Sequence, residues 1–214
     1  MLRMIDQAIG DHGRCRILDL GGTERYWRLM APMLGDRPVE ITLVNLTDHG
    51  HPPSPDAWPP VKLVIGDITT MAPGAIPAEL IHSNSVIEHV IGWAQREQFA
   101  RAVREGAESY YIQTPNYWFP YELHFRTWFY HWLSPSARAH LLTKKRRGFF
   151  KQSSSFGSAM EVVETIDLLD KRQMRALFPD SVITTEQLGP LAKSLMAVRY
   201  RNQADTKALL HSRL

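Results

Sequence analysis

Cysteine is almost missing: Cys15 stands alone in 214 residues. A single thiol makes no internal disulfide and lacks the spaced partners of a zinc-binding cysteine set, so a disulfide scaffold is excluded and the sequence assigns no metal site. The plain reading is a small buried thiol in a reducing compartment. Long apolar runs are lacking as well. The start, Met1 to Asp6, has no apolar core followed by a small-residue cleavage site, so no membrane span and a cytoplasmic location are expected. Charge of one sign is also scarce, with a net of +3 when the nine histidines are counted neutral. The one dense basic run, Lys144-Lys145-Arg146-Arg147, sits just before Gly148, where cations suit a solvated helix end. It has no second stripe beside it, so nucleic acid is not the expected partner. No internal repeat is present. With 44% hydrophobic and 22% charged residues, the composition is that of one ordinary globular domain over residues 1–214.

What is present begins with Arg16-Ile17-Leu18-Asp19-Leu20-Gly21-Gly22-Thr23. An apolar run ending in an acid and two adjacent glycines reads as a buried strand entering a tight turn, where the backbone can approach a ligand. Leu2 to Asp11 forms a lead-in helix with Leu2, Ile5 and Ile9 on one side. From Glu24 to Leu34, Trp27, Met30 and Leu34 recur at helical spacing; Pro32 weakens or shortens that helix and Gly35-Asp36 stops it. Strands are expected at 39–45, 61–65, 80–84 and 109–113, and a helix at 94–105. Residues 46–60, with five prolines, read as a surface loop, and Pro73, Gly74 and Pro77 forbid a long helix before the fourth strand. Strand and connection repeated in this way imply a mainly parallel sheet with helices on both faces.

The chain then changes character, since nine of the eighteen residues from Asn116 to Leu133 are aromatic. Ser134-Pro135 opens a helix, Phe149 to Ala159 reads as a mobile loop, and Asp170 to Gln173 has a capping-box pattern. Two final strands, at 182–186 and 195–200, are joined through Gly189-Pro190 as an antiparallel pair. The last dozen residues are a helix or a frayed tail.

In an open parallel sheet, ligands lie beyond the carboxyl ends of the strands. Those ends carry Asp19 with Gly21 and Gly22, then Asn45, Asp67, Ser83 with Asn84, and Gln113 with Thr114. Each alone could be a turn or helix cap; the series in order points to a pocket with a few orienting polar groups. A dinucleotide loop needs Gly-x-Gly-x-x-Gly, whereas here Thr23 and Glu24 follow the glycines, and an acid there would repel a diphosphate. S-adenosyl-L-methionine, a sulfonium cation with no phosphate, is the alternative ligand of such a sheet edge.

At this point the residues resemble a family. Ile17 to Thr23 is similar to the first motif of class I S-adenosylmethionine-dependent methyltransferases, Gly66-Asp67-Ile68 to their adenine-side motif, and Ser83-Asn84-Ser85-Val86-Ile87-Glu88-His89-Val90 to their fourth-strand motif. The type 11, UbiE-like branch is the one it resembles. The likeness implies a Rossmann-like, seven-stranded mixed sheet, mostly parallel with the last strand antiparallel. It further implies a cofactor held by Asp19, Gly21, Gly22, Thr23, Asn45, Asp67, Ile68, Ser83 and Asn84. The Asp19 loop would face the methionine moiety together with Ser83 and Asn84, Asn45 the ribose, and Asp67 the adenine amino group. Thr23 stands where the family has a second spaced glycine, and Asn45 where it has an acid.

Methyl transfer is an in-line displacement, so positioning supplies much of the acceleration. For a hydroxyl acceptor a histidine is the plausible base. His89, beside Glu88 which could orient it, is the first candidate and His124 the second; packing or a structural hydrogen bond is the other reading of each. Acceptor contacts are expected from Asn116, Tyr117, Trp118 and Glu122. The aromatic-rich segment at about 116–160 reads as a lid or subdomain core, as the wall of an acceptor pocket, or as a partner or oligomer surface. The expected activity is methyl transfer to a small-molecule or glycan acceptor, at oxygen. A non-catalytic binding or assembly module on the same fold, and an RNA methyltransferase using Lys144 to Arg147, are the alternatives.

Overall fold

A computed structural model describes residues 1–48, 54, 58–202 and 204–206. Most of the expected 46–60 loop and the expected C-terminal helix or tail lie outside the described residues. The elements in chain order are α1 (Leu2–His12), β1 (Cys15–Leu20), α2 (Glu24–Leu34), β2 (Val39–Asn45), β3 (Val61–Ile65) and β4 (Leu80–Asn84). They continue with α3 (Trp93–Gly106), β5 (Ser109–Pro115), β6 (Tyr121–Glu122), β7 (Thr127–Trp128), α4 (Pro135–Lys144), α5 (Phe156–Glu164), α6 (Lys171–Leu177), β8 (Val182–Leu188) and β9 (Leu191–Arg199). Short 3-10 turns cover Ile87–His89 and Tyr130–Trp132.

Seven strands form one sheet in the order β3-β2-β1-β4-β5-β9-β8. All neighbours from β3 to β5 pair parallel, and β9 is antiparallel to both β5 and β8. Strand order therefore reverses between β1 and β4, which opens a crevice above their carboxyl ends. Alternation along β1 sorts the two faces. Cys15 and Ile17 pack with Met4 and Ile5 of α1 and Trp27 and Leu34 of α2. Leu18 and Leu20 pack with Phe99 and Val103 of α3 and Met174 and Leu177 of α6. Helices thus cover both faces. Burial pushes the Cys15 thiol up to about 12, helped by the nearby Glu79 carboxylate, which makes it a core residue rather than a reactive one.

The aromatic segment is not a single surface. Phe125 and Tyr130 join Ala139 and Leu142 of α4, Ala159 and Val163 of α5, and Ile166 and Leu168 in a third buried cluster. Trp118, Trp128, Phe129 and Phe149 stay exposed. Arg147 of the basic run lies over the Tyr130 ring, 5.6 Å from its centroid, and its Nη1 donates to Thr127.

Three expectations change. The helix α2 runs on through Pro32 to Leu34, because Pro32 is exposed in the last turn, where the one carbonyl it leaves unpaired can be hydrated. Residues 156–159 are helical rather than loop, since Ser155 caps α5 by accepting from Ser158 N while Ser158 Oγ accepts from Ser155 N. The closing strands are also longer than read, because Lys193 and Ser194 sit inside β9 with their side chains bonded to Glu186 of β8. No helix among the described residues is long and apolar enough to cross a membrane.

Candidate functional site

The turn after β1 is built tightly on its own strand. Gly21 has φ 70°, which favours glycine, and a Cβ there would lie 2.5 Å from Val86 Cγ2. A Cβ on Gly22 would lie 1.7 Å from Asp19 Oδ2. The Asp19 carboxylate therefore fills the space beneath the turn. It is 1% exposed, with Trp27 Nε1 donating to Oδ2 at 2.7 Å and His82 Nδ1 donating to Oδ1 at 2.7 Å. His82 is itself stacked between Tyr26 and Tyr111. Thr23 caps α2, its Oγ1 accepting from Tyr26 N at 3.3 Å, and Asn45 Nδ2 ties the end of β2 to Gly22 O at 3.0 Å. Glu24, the acid that argued against a diphosphate, is paired with Arg28 and accepts from Ser54 N.

Beyond this turn a cleft of about 370 Å³ opens at the carboxyl ends of β1, β2, β3 and β4. Its walls are mostly apolar, from Leu20, Val44, Ile68, Val86, Val90 and Phe99, and its polar groups are Asn45, Asp67, Thr69, Ser85 and His89. Among the described residues, no lysine or arginine lines it. Asp67 is exposed and accepts from Thr69 N at 2.9 Å and Thr69 Oγ1 at 2.7 Å, both on Oδ1, which fixes the direction of its carboxylate.

Next to the cleft, at the heads of β4 and β5, Glu88, His89 and His124 each bring a ligand-capable atom within 4.8 Å of the others. Glu88 is fully buried, and Thr114 Oγ1 donates to its Oε2 at 2.9 Å. Its Oε1 has no hydrogen-bond partner among the described residues; His124 Nε2 lies 3.9 Å away. Burial pushes the Glu88 carboxyl up to about 7, against the pull of the Thr114 bond and of His124 and Arg96. His124 donates from Nδ1 to Glu122 Oε1 at 2.7 Å. Burial alone would lower the basicity of His124, but that bond and the Glu122 and Glu88 charges leave it raised. His89 donates from Nδ1 to Thr165 O at 3.1 Å and is lowered, by burial first.

Three comparable solved structures share this architecture. A protein from Rhodobacter sphaeroides described as a candidate Zn-dependent alcohol dehydrogenase aligns at TM-score 0.54 and 10% identity, over 88% of this chain and 84% of that one. A SAM-dependent methyltransferase from Methanosarcina mazei aligns at 0.50 and 9%, over 87% and 92%. LepI in complex with SAM aligns at 0.52 and 10%, over 92% of this chain but 46% of that one, so the chain spans about half of its length. The shared fold is a Rossmann-like, seven-stranded mixed sheet, mostly parallel with antiparallel closing strands, which the two SAM-related structures also have. No protein-family model and no curated protein matches the sequence.

Within this fold, Gly21, Asn45, Asp67, Ile68 and His89, all singled out in the sequence, line the cleft. Others are placed differently. Asp19 lies under the turn and is spent on Trp27 and His82. Ser83 Oγ donates to Leu20 O at 3.1 Å and is fully buried, which makes it a tie between β4 and β1. Asn84 is exposed and accepts from Ser85 Oγ at 3.3 Å. Gly22 and Thr23 shape the turn without lining the cleft. On the acceptor side, Asn116 is buried, with Nδ2 on Ala192 O at 2.8 Å and Oδ1 accepting from Trp118 N at 3.2 Å. Glu122 is also buried; it holds His124 and accepts from Phe125 N rather than opening to a ligand. Tyr117 and Trp118 remain as a half-buried and an exposed ring in edge contact, 5.1 Å apart. Glu88 does not orient His89, because Thr165 O does; it faces Thr114 and His124 instead.

Proposed function

We propose that the chain binds S-adenosyl-L-methionine in the cleft and transfers its methyl group to an oxygen of a small-molecule or glycan acceptor. The observation that carries this reading is the cleft at the strand-order reversal, apolar in its walls, polar at Asn45 and Asp67, and without lysine or arginine among the described residues that line it. A diphosphate would find no cation there, whereas a purine, a ribose and a sulfonium find apolar walls, an amide and a carboxylate. Asp67 would take the adenine amino group, Asn45 a ribose hydroxyl, and Ile68, Val86 and Val90 the ring faces. When bound, the cofactor supplies an electrophilic methyl group. This chain's own residues then position the acceptor and exclude water. An oxygen acceptor must lose its proton, and Glu88, His89 and His124 are where the chain gathers groups able to promote that loss. Tyr117 and Trp118 offer aromatic faces of the kind that suit sugars and rings.

Crystals grown with S-adenosylhomocysteine test the reading. Density for the nucleoside between Asp67 and Asn45 is expected. A cleft left empty at saturating ligand would overturn the assignment.

A further inference from the structure

The cluster of Glu88, His89 and His124 has more order than a base requires. Both histidines have their Nδ1 protons committed, to an oxygen that can only accept in the case of Thr165 and to a carboxylate in the case of Glu122. In its neutral form each ring therefore carries its lone pair on Nε2. A second group that fixes the tautomer and orientation of an imidazole is the usual companion of a metal-ligating histidine, and the carboxylate on His124 is the strongest form of it. The third group is a fully buried carboxylate whose Oε2 is held by Thr114 and whose Oε1 has no partner among the described residues. A buried, unpaired carboxylate oxygen is costly unless a proton or a cation meets it.

The turn carrying these groups is fixed from behind. Asp167 N donates to Glu88 O at 2.9 Å. Buried Arg96 donates to Val90 O at 2.9 Å and to Asp167 O at 2.6 Å, and pairs with the Asp167 carboxylate at 2.9 Å. His89, by contrast, lines the open cleft, so the cluster has both a rigid back and an entrance.

We propose that Glu88, His89 and His124 form a binding site for one divalent first-row transition-metal ion. Two imidazoles and one carboxylate select such an ion over magnesium or calcium, which take oxygen ligands. Bonds of about 2.0–2.2 Å bring ligand atoms to about 3–3.5 Å from one another. Glu88 Oε1 and His124 Nε2 are 3.9 Å apart and the His89 ligand atom lies within 4.8 Å of the others, so the three draw together on an ion. Three protein ligands leave positions open toward the cleft. The site stands on these ligands alone; its use rests on the methyl-transfer reading. There an acceptor hydroxyl binds the ion and releases its proton to water. The acceptor oxygen then forms a bond to the methyl carbon as the carbon–sulfur bond breaks, leaving neutral S-adenosylhomocysteine.

The test is titration of chelator-stripped full-length protein with cobalt(II) and zinc(II), read by calorimetry and by the visible absorption of bound cobalt. One equivalent is expected to bind and to give a visible spectrum that zinc abolishes. Glu88→Gln and His124→Ala should each weaken binding at least 100-fold. Glu122→Gln, which keeps the shape of the site and changes only the bond behind His124, should weaken it about 10- to 100-fold. Thermal melts of each variant report whether it is folded. No stoichiometric binding, or binding unchanged in folded Glu88→Gln and Glu122→Gln, overturns the site. S-adenosylhomocysteine titrated into the same stripped protein reads the cleft separately. Cobalt binding without nucleoside binding therefore sinks the methyl-transfer reading and leaves the ion site standing, and the reverse result does the opposite.

Discussion

Asp19 accepts from two buried donors, Trp27 Nε1 and His82 Nδ1, and its carboxylate fills the space under Gly22. Replacing it with alanine leaves both donors unpaired in the core, which costs about 2–4 kcal/mol at the usual penalty for orphaned buried groups. Urea unfolding of Asp19→Ala should show that loss before any ligand is added. A change below about 1 kcal/mol would mean that the network does not hold the turn. A variant that loses cofactor binding while keeping full stability is therefore not expected at this position. The sequence made Asp19 visible as the acid before two glycines but not its partner. His82 becomes its partner only because β4 is placed beside β1 with Asp19 opposite His82, a register that no local pattern in either strand reveals. The same holds for Glu122 and Thr114. The sequence offers Glu122 as an acceptor contact and Thr114 as a polar strand end, and only the fold brings His124 and Glu88 to them.

Strands and helices were legible where apolar period and caps agreed, as at β1, β2 and the Asp170 cap of α6. That cap accepts from Arg172 N and Gln173 N as its pattern predicts. They were not legible where a polar stretch did the capping itself. Ser155 looked like loop because it lies in a serine run, yet it is the N-cap of α5. Ser155→Ala should lower stability by about 1 kcal/mol in chemical denaturation, and an unchanged midpoint would contradict the cap. A second tie at this scale joins β1 to the entry of β4. Arg16 donates from its backbone N to Glu79 Oε2 at 2.6 Å and from Nη2 to Oε1 at 2.5 Å. Burial would raise the Glu79 carboxyl, but the Arg16 bonds and charge outweigh it and hold it below its ordinary value. Because the folded value is lowered, the pair's contribution is complete above the ordinary glutamate range of about 4.3 and is lost as pH falls through the lowered value. Acid titration of stability should therefore be shallower below about pH 4.5 in Glu79→Gln than in the unaltered chain. Equal slopes would contradict the linkage.

Over the whole molecule, the strand-order reversal, the antiparallel β9 and helices on both faces reproduce the fold that the resemblance to the methyltransferases implied. The cleft itself was half visible. Its polar rim at Asn45 and Asp67 could be picked out because polar groups after apolar strands are conspicuous. Of its walls only Ile68, beside Asp67 in the adenine-side motif, could be picked out; Val86, Val90 and Phe99 read as ordinary core residues, and Ile68 and Val86 also pack against the core cluster. The exposed rings of Trp118, Trp128 and Phe129 leave the aromatic segment with a buried half and a surface half. The central claim is that the apolar cleft between Asn45 and Asp67 holds a nucleoside cofactor. The most direct test is the dissociation constant for S-adenosylhomocysteine, measured by calorimetry on the unaltered chain and on Ile68→Trp, whose larger side chain fills the cleft. The prediction is saturable one-to-one binding that weakens at least tenfold in the variant. The absence of saturable binding, or equal affinity in both proteins, would contradict it.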